Sequence, residues 1–338
     1  MLTLITFEPW GEPLMMPRTL NAMLSRLWST NRPLTAVGLL MTAALIASSL
    51  GLVFDTRTIL GAPAWLKPAK FAVSTAIYSF TLAWVFTYLP DWPRTQRIVG
   101  WMTAVVFVFE VGIIDAQAWR GTTSHFNVNT PVDAALFSIM GVAIVGQTIA
   151  SAFVAFALWR QPISNRAMGA ALRAGMVITL VGAASGAIMT VPTSAQLAEF
   201  DETHRLPLSG AHTVGAPDGG AGLPGTGWSV EHGDLRVPHF LGLHAMQLLP
   251  LIAVGLGRGR GDAAVRTVRA AAGSYLALFG ILLVQALRGE PLLAPGSVTL
   301  ALFVTWLLLS LAALWVGRTW QGHDRSTLAR RASDHRTV

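Results

Sequence analysis

Cysteine is absent from this 338-residue chain, and charged residues make up only 12% of it. The absence of cysteine excludes structural disulfides, thiolate nucleophiles and thiolate-bound metals. An ordinary soluble domain has about 25% charged residues, because its surface faces water. More than half of the chain is apolar. These proportions indicate an all-α, polytopic integral membrane protein.

Lysine is nearly absent as well. The sequence has 24 basic residues, and Lys67 and Lys70 are the two lysines among them. Two explanations remain open for this pair. The lysines are membrane anchors whose ammonium groups reach the interface, or they are compact cations that bind an anionic ligand.

Eight apolar segments are long enough, or nearly so, to cross a bilayer core about 30 Å thick. Several begin at a proline, which suits the first turn of a helix because its N–H group has no partner there. Together they form a single predicted bundle over residues 34–317. The predicted spans are about 34–54, 68–89, 98–119, 131–159, 172–190, 238–257, 270–287 and 294–316.

The distribution of basic residues predicts the orientation of the bundle. Seventeen basic residues fall in the terminal segments and in the connections on one side, and seven fall on the other. The positive-inside rule therefore places both termini in the cytoplasm of a cell-membrane protein. The net charge of +7 is explained by this topology, so no nucleic-acid partner is expected. The bilayer itself is the expected partner, and the oligomeric state stays open.

Three segments lie outside the predicted helices of the bundle. Residues 1–33 form a cytoplasmic N-terminal segment, in which 20–28 have the spacing of a short helix on the membrane surface. Residues 318–338 form a basic cytoplasmic tail. The extracytoplasmic loop 191–237 is rich in Gly, Pro and His. Its length favours either disorder or a cap over a site.

Ionisable residues collect at the outer ends of the predicted spans, and each needs a reason because burial in hydrocarbon is costly. Glu110 lies within the third span, and His125 lies in the polar loop after it. We predict catalytic roles for Glu110, Asp115 and His125. We also predict that the side chains nearby bind a ligand, namely Lys67, Lys70, Gln117, Arg120, Asn127, Arg236 and Gln247.

Histidines near the start of the sixth span complete the predicted site. His125, His239 and His244 are the candidate metal ligands, although the five-residue spacing of the last two separates them around a helix. We predict that Glu110, His125 and His244 meet in one outward-facing cavity. The paired histidines of two-haem cytochromes and the His-x-x-x-His of seven-span zinc hydrolases are both missing.

The sequence therefore predicts an outward-facing His/carboxylate site of uncertain function. A metal- or haem-assisted enzyme that acts on an anionic, amphiphilic ligand or lipid headgroup is one hypothesis, with the cofactor left open. A transporter or permease for a small anionic solute is the alternative, and a membrane receptor or sensor is another. Polar residues concentrated at one end of the bundle favour the enzyme, because transporters need a path to both sides.

Overall fold

The computed structural model describes residues 19–256 and 261–313. The fold is all-α, at about 72% helix. The first 18 residues, the tail 318–338 and the end of the eighth predicted span lie outside the described residues. The helices are α1 (Leu20–Thr30), α2 (Arg32–Phe54), α3 (Leu66–Phe86), α4 (Pro93–Trp119), α5 (Pro131–Arg160), α6 (Arg166–Ser185), α7 (Ser194–Thr203), α8 (Arg236–Leu243), α9 (Ala245–Gly255), α10 (Asp262–Leu287) and α11 (Ser297–Ala313).

Six helical segments in the described part are long and apolar enough to cross a membrane, and the bent pair α8–α9 makes a seventh. α11 is a shorter apolar helix in the region of the eighth predicted span. The predicted start of the fifth span, at residue 172, is wrong by about a turn and a half, because Asn165 caps α6 at Met168 N. α10 also begins earlier than predicted, at Asp262.

The outward faces of the spanning helices are apolar. On α5, residues such as Ile139, Val142, Ile149 and Phe153 are more than half exposed. A continuous exposed apolar face of this kind is rare on a soluble monomer, where it would contact water. This arrangement is the one expected of helices whose outer faces contact lipid.

The bundle forms by successive packing along the chain. α2 packs on α3, α4 on α2, α3 and α5, and α6 on α5, α8, α9 and α10. Gly182 of α6 and Gly186, which directly follows this helix, allow a close approach of α8. A Cβ atom on Gly182 would lie 2.5 Å from the backbone of Gly242, and one on Gly186 would lie 2.9 Å from the His239 ring.

The sixth predicted span is broken at His244, where α8 and α9 meet at 46°. Thr179 of α6 compensates for the break. Its hydroxyl accepts a hydrogen bond from Met246 N at 3.1 Å and donates one to Leu243 O at 3.4 Å. Backbone groups freed inside a membrane need such partners, because no water is present to bind them.

The long loop between α6 and α8 is folded rather than extended. It contains a 3₁₀ turn (Gly186–Thr190), helix α7 and two short antiparallel strands, β3 (Thr213–Val214) and β4 (Gly233–Asp234). A second small hairpin, β1 (Thr58–Ile59) and β2 (Ala62–Pro63), comes after α2. Of the two predicted alternatives for the long loop, the structure shows the cap. We call residues 191–235 the cap.

Candidate functional site

A cavity of about 600 Å³ lies at one end of the bundle, between the start of α3, the end of α4 and the cap. Its volume is within the usual range for small-molecule sites, about 300–1,000 Å³. Part of the wall is apolar, with Leu66, Phe71 and Ile114. Basic side chains line the rest, with Lys67, Lys70 and Arg236 among the cavity residues. A wall with both characters suits a ligand that has an apolar part and an anionic part.

Glycine allows the cap to lie close to the rest of the site. Gly61 has φ of 71°, in the left-handed region that favours glycine, and a Cβ there would lie 2.6 Å from Gly219 O. Arg57 also ties this hairpin to the bundle, since its Nη1 donates to Trp119 O at 2.9 Å. The close approach of Gly61 and Gly219 places the β1–β2 hairpin against the cap over the start of α3.

A hydrogen bond between the side chains of His212 and Asp218 shapes the cap. Asp218 accepts hydrogen bonds from His212 Nδ1 at 2.6 Å and from Thr213 N at 2.9 Å. Burial raises the pKa of the Asp218 carboxyl, but the hydrogen bonds and the charge of His212 outweigh it and hold that pKa below its ordinary value. Burial lowers the pKa of His212 despite this pairing. Asp218 thus places a structural carboxylate in a cavity wall that also contains Lys67, Lys70 and Arg236.

The lysine and arginine side chains that line the cavity differ in their partners. Lys70 Nζ donates to Thr226 O at 2.6 Å, and Arg236 Nε donates to Asp234 Oδ1 at 2.9 Å. Lys67 donates to no acceptor among the described residues, and its Nζ lies 6.0 Å from the centroid of the Phe71 ring. The charges that act on Lys67 are those of Lys70, Glu110, Arg236 and Asp218. Of the lysine and arginine side chains that line the cavity, Lys67 is therefore the one without an acceptor in the described chain.

Glu110 and His125 lie together beside this cavity. His125 Nε2 is 3.5 Å from Glu110 Oε1, and its Nδ1 is 3.1 Å from Ser124 Oγ. Ser124 lines the cavity, whereas Glu110 and His125 do not. Burial lowers the pKa of His125 well below its usual range, and the positive charge of Lys67 adds to that effect. His125 is consequently a neutral base near pH 7.

Three other predicted ligand-binding residues have structural partners. Gln117 Nε2 and Arg120 Nη1 both donate to Asp133 Oδ1, at 2.9 and 2.8 Å, and join α4 to α5. Asn127 Nδ2 donates to Thr122 Oγ1 and Thr123 O within its own loop. None of the three lines the cavity. Their polarity is explained by these hydrogen bonds, because buried polar groups need partners.

The predicted meeting of His244 with Glu110 is not found. α4 packs mainly against α2, α3 and α5, while α8 and α9 pack against α6 and α10. His244 Nδ1 bonds to Phe240 O at 2.7 Å, and its ring stacks on Phe240. His239 Nδ1 instead bonds to Gly182 O at 2.8 Å. Sequence spacing predicted the depths of these residues but did not determine which helices are neighbours.

The remaining predicted residues lie away from the cavity. Asp115 and Gln247 each have one buried oxygen without a hydrogen-bond partner in the described chain, and neither lines the cavity. Within residues 19–256 and 261–313, no group of three or more His, Asp or Glu side chains is placed to hold a metal ion. His125, His239 and His244 are therefore not assembled as the predicted ligand set.

We compared the chain with protein-family models, curated proteins and solved structures. No protein-family model, no curated protein and no solved structure matches the chain. The function of this protein is therefore inferred from the geometry and chemistry of its cavity.

Several cavity residues were missed by sequence reasoning. Ser124, His212, Asp218 and His232 all line the cavity. Ser124 had a signal, because it directly precedes His125 in a polar loop between two helix ends. The cap residues had none, since only folding brings a glycine-rich loop over the start of α3.

Proposed function

We propose that this chain is a multi-pass cell-membrane enzyme with eight spanning helices, whose cavity faces the extracytoplasmic side and binds an anionic, amphiphilic ligand. The single observation that carries this proposal is the free ammonium group of Lys67 in the capped cavity. A cation inside a helical membrane bundle is costly, so its retention without a protein acceptor indicates a ligand that supplies the anion.

The surroundings of Lys67 favour an amphiphile over a small inorganic anion. Lys70 and Arg236 already have protein partners and add positive charge around the ligand position. Leu66, Phe71 and Ile114 provide apolar wall beside these cations. A phosphate headgroup near Lys67 with a short acyl chain along Phe71 would use both parts of the cavity.

The orientation proposed for the cavity comes from the basic residues. The cavity lies at the end of the bundle that contains the cap, which is the side with seven basic residues instead of seventeen. The positive-inside rule makes that end extracytoplasmic.

The binding proposal is tested with dihexanoyl phosphatidate, which carries a phosphate and two short acyl esters. Dihexanoyl phosphatidylcholine has the same esters without net charge and is the comparison ligand. We expect the protein purified in detergent to bind the phosphatidate more tightly. Lys67→Gln should weaken that binding by about 10–100-fold, since a charge-assisted hydrogen bond contributes about 1.5–3 kcal/mol.

The matched control for that experiment is Arg205→Gln. Arg205 is exposed on the cap, so this change removes one positive charge from the same side of the membrane without touching the cavity. It should leave the affinity within about twofold. Equal binding of the two lipids, or full affinity in Lys67→Gln, would show that the cavity does not bind an anionic headgroup through Lys67.

A transporter is the second candidate, because buried polar groups also lie deeper in the bundle. Both amide atoms of Gln147 and the hydroxyl of Thr103 are buried without hydrogen-bond partners in the described chain. Nearby, the Tyr78 and Ser151 hydroxyls lie 2.8 Å apart between α3 and α5. Uptake of radiolabelled phosphatidate into proteoliposomes that is lost in Gln147→Leu would favour transport.

A further inference from the structure

Three side chains beside the cavity form a continuous chain of polar contacts. Ser124 Oγ is 3.1 Å from His125 Nδ1, and His125 Nε2 is 3.5 Å from Glu110 Oε1. Ser124 lines the cavity wall together with Lys67 and Phe71. A hydroxyl, an imidazole and a carboxylate in this order are the three parts of a serine nucleophile with its base and the group that orients the base.

The contacts on the two ring nitrogens of His125 fit one neutral tautomer. Nδ1 can accept the Ser124 proton only if Nε2 carries the ring proton. Nε2 is the nitrogen that faces the Glu110 carboxylate, which is the group able to accept from an N–H. The two contacts therefore agree with one neutral tautomer, and that tautomer is the one a general base requires.

The imidazole is held in place by aromatic neighbours and by the backbone after it. The His125 ring lies 5.4 Å from the Phe71 ring and 6.2 Å from the Phe126 ring, measured between centroids. Phe126 has φ of 64°, a conformation that residues with a Cβ rarely adopt. Backbone strain of this kind is concentrated at functional sites, where the surrounding structure holds it.

One carboxylate oxygen of Glu110 has no hydrogen-bond partner in the described chain. Glu110 is 3% exposed, and this oxygen is Oε2. A pair kept only for packing would be expected to satisfy both carboxylate oxygens, because an unpaired buried oxygen is costly. An orienting carboxylate gains when the imidazole becomes positive, so an incompletely paired ground state suits that role.

We propose that Ser124 is the nucleophile of a serine hydrolase centre that cleaves a carboxylic ester of the anionic ligand. This inference rests on the proposed function for the position of the ligand beside Lys67. Ser124 Oγ forms a bond to the ester carbonyl carbon, and its proton passes to His125 Nδ1. The carbonyl oxygen becomes an oxyanion in the same cavity as the basic side chains of Lys70 and Arg236, while Lys67 stays with the phosphate.

The later steps of the reaction use the same groups. The oxyanion collapses, the bond from carbon to the leaving alcohol oxygen breaks, and that oxygen takes the proton from His125. Water then attacks the acyl–Ser124 ester with His125 as the base. The free carboxylic acid leaves and Ser124 regains its proton. The net reaction is ester plus water to carboxylic acid plus alcohol.

The arrangement departs from the common serine hydrolase triad in two respects. The serine meets Nδ1 and the carboxylate meets Nε2, the reverse of the usual assignment, and the serine and histidine are adjacent in sequence. The decisive measurement must therefore report nucleophilicity, which a merely structural hydroxyl does not have.

The full-length protein in detergent is treated with a fluorophosphonate probe, which reacts covalently with activated serines, and the modified residue is mapped by mass spectrometry. We expect Ser124 to be the labelled residue. Ser124→Ala should abolish labelling, and His125→Gln should slow it at least about 10³-fold, in line with other triads. Ser138→Ala is the matched control, because Ser138 is exposed on α5 and bonds only its own helix.

The second measurement separates this inference from the proposed function. Hexanoate release from dihexanoyl phosphatidate should be lost in Ser124→Ala, while that variant binds the lipid with the affinity of the wild type. A wild-type protein that binds phosphatidate but releases no hexanoate and leaves Ser124 unlabelled would overturn the hydrolase while retaining the binding site. If Ser124 is labelled but the protein does not bind phosphatidate, Ser124 is a nucleophile and the proposed ligand is wrong.

Discussion

Glu110 and Lys67, like Asp115, are less completely paired than other ionisable side chains of the described bundle. The Asp133 carboxylate is bonded to Gln117, Arg120 and Thr130, and the Asp234 carboxylate is bonded to Arg236 and Ser229. Glu110 keeps one oxygen without a partner, and Lys67 has no acceptor in the described chain. Both lie where desolvation is costly, so their incomplete pairing is the residue-level feature that indicates function.

His125 allows a prediction about pH. Burial lowers its pKa, with the charges of Lys67, His212 and His239 adding to the effect, so it stays neutral as pH falls through 6.5. The rate of Ser124 labelling by fluorophosphonate should therefore decline only below pH 6.5. Measuring labelling rates between about pH 4.5 and 8 locates this acid limb, which reports the protonation of the base. A half-maximal rate at or above pH 6.5 would contradict the buried, neutral base.

The Glu110→Gln variant is the control for the pH dependence of Ser124 labelling. Glu110 Oε1 lies 3.5 Å from His125 Nε2, so a change at Glu110 tests whether this contact affects the acid limb. Glu110→Gln removes a carboxylate that favours the protonated ring. The limb should therefore move to lower pH in this variant, at a reduced overall rate. A shift to higher pH would show that Glu110 does not act on His125 as an anion.

At the scale of elements, the contact between α6 and α8 depends on the absence of side chains. Gly182 and Gly242 approach so closely that a Cβ on either would lie 2.5 Å from backbone of the other helix. Backbone atoms cannot rotate away as the end of a flexible side chain can. The position of α8, and with it Arg236 at the cavity, depends on this contact.

Gly182→Ala should destabilise the protein even though alanine is the better helix former. Overpacking of this kind typically costs about 1–3 kcal/mol. Gly141→Ala is the matched control, because a Cβ at Gly141 meets nothing within 4 Å. It should be neutral or stabilising by up to about 1 kcal/mol. Thermal unfolding in detergent compares the two, and equal midpoints would show that α6 and α8 have room to separate.

At the scale of the whole molecule, the polar chemistry is concentrated at one end of the bundle. The cavity, the cap, the β1–β2 hairpin and the loop after α4 all meet there. The cap contacts the bundle through Lys70 at Thr226 and through Asn127 opposite Leu208. A capped site at one membrane face suits a protein that takes its ligand from that face.

The proposed orientation can be tested directly because the chain contains no cysteine. Glu202→Cys places a thiol on the exposed end of α7 in the cap, and Ser164→Cys places one in the connection between α5 and α6. A membrane-impermeant maleimide on intact cells should label position 202 and leave position 164 unlabelled. Permeabilised cells should show both. Labelling of position 164 alone would mean that the cap is cytoplasmic.

Individual residues show where sequence reasoning succeeded. Arg32–Phe54 and Pro131–Arg160 match predicted spans within two residues, because a helix in lipid needs a long apolar run and little else. Thr130 caps the start of α5, since its hydroxyl oxygen accepts a hydrogen bond from Asp133 N. The contact between Glu110 and His125 is also present, since a turn at the end of α4 returns the chain beside its own helix.

The sequence by itself determined the class of protein, the run of helices and the end of the bundle at which polar residues gather, because these depend on local hydrophobicity. Tertiary structure alone decided which helices are neighbours. Because α8 and α9 pack on α6, His244 lies apart from Glu110. Gln117 and Arg120 donate hydrogen bonds to Asp133, and the cap lies over Lys67. Such contacts form between surfaces that are distant in sequence. The sequence of an apolar helix face does not show which helix it packs against, because every such face is equally compatible with lipid.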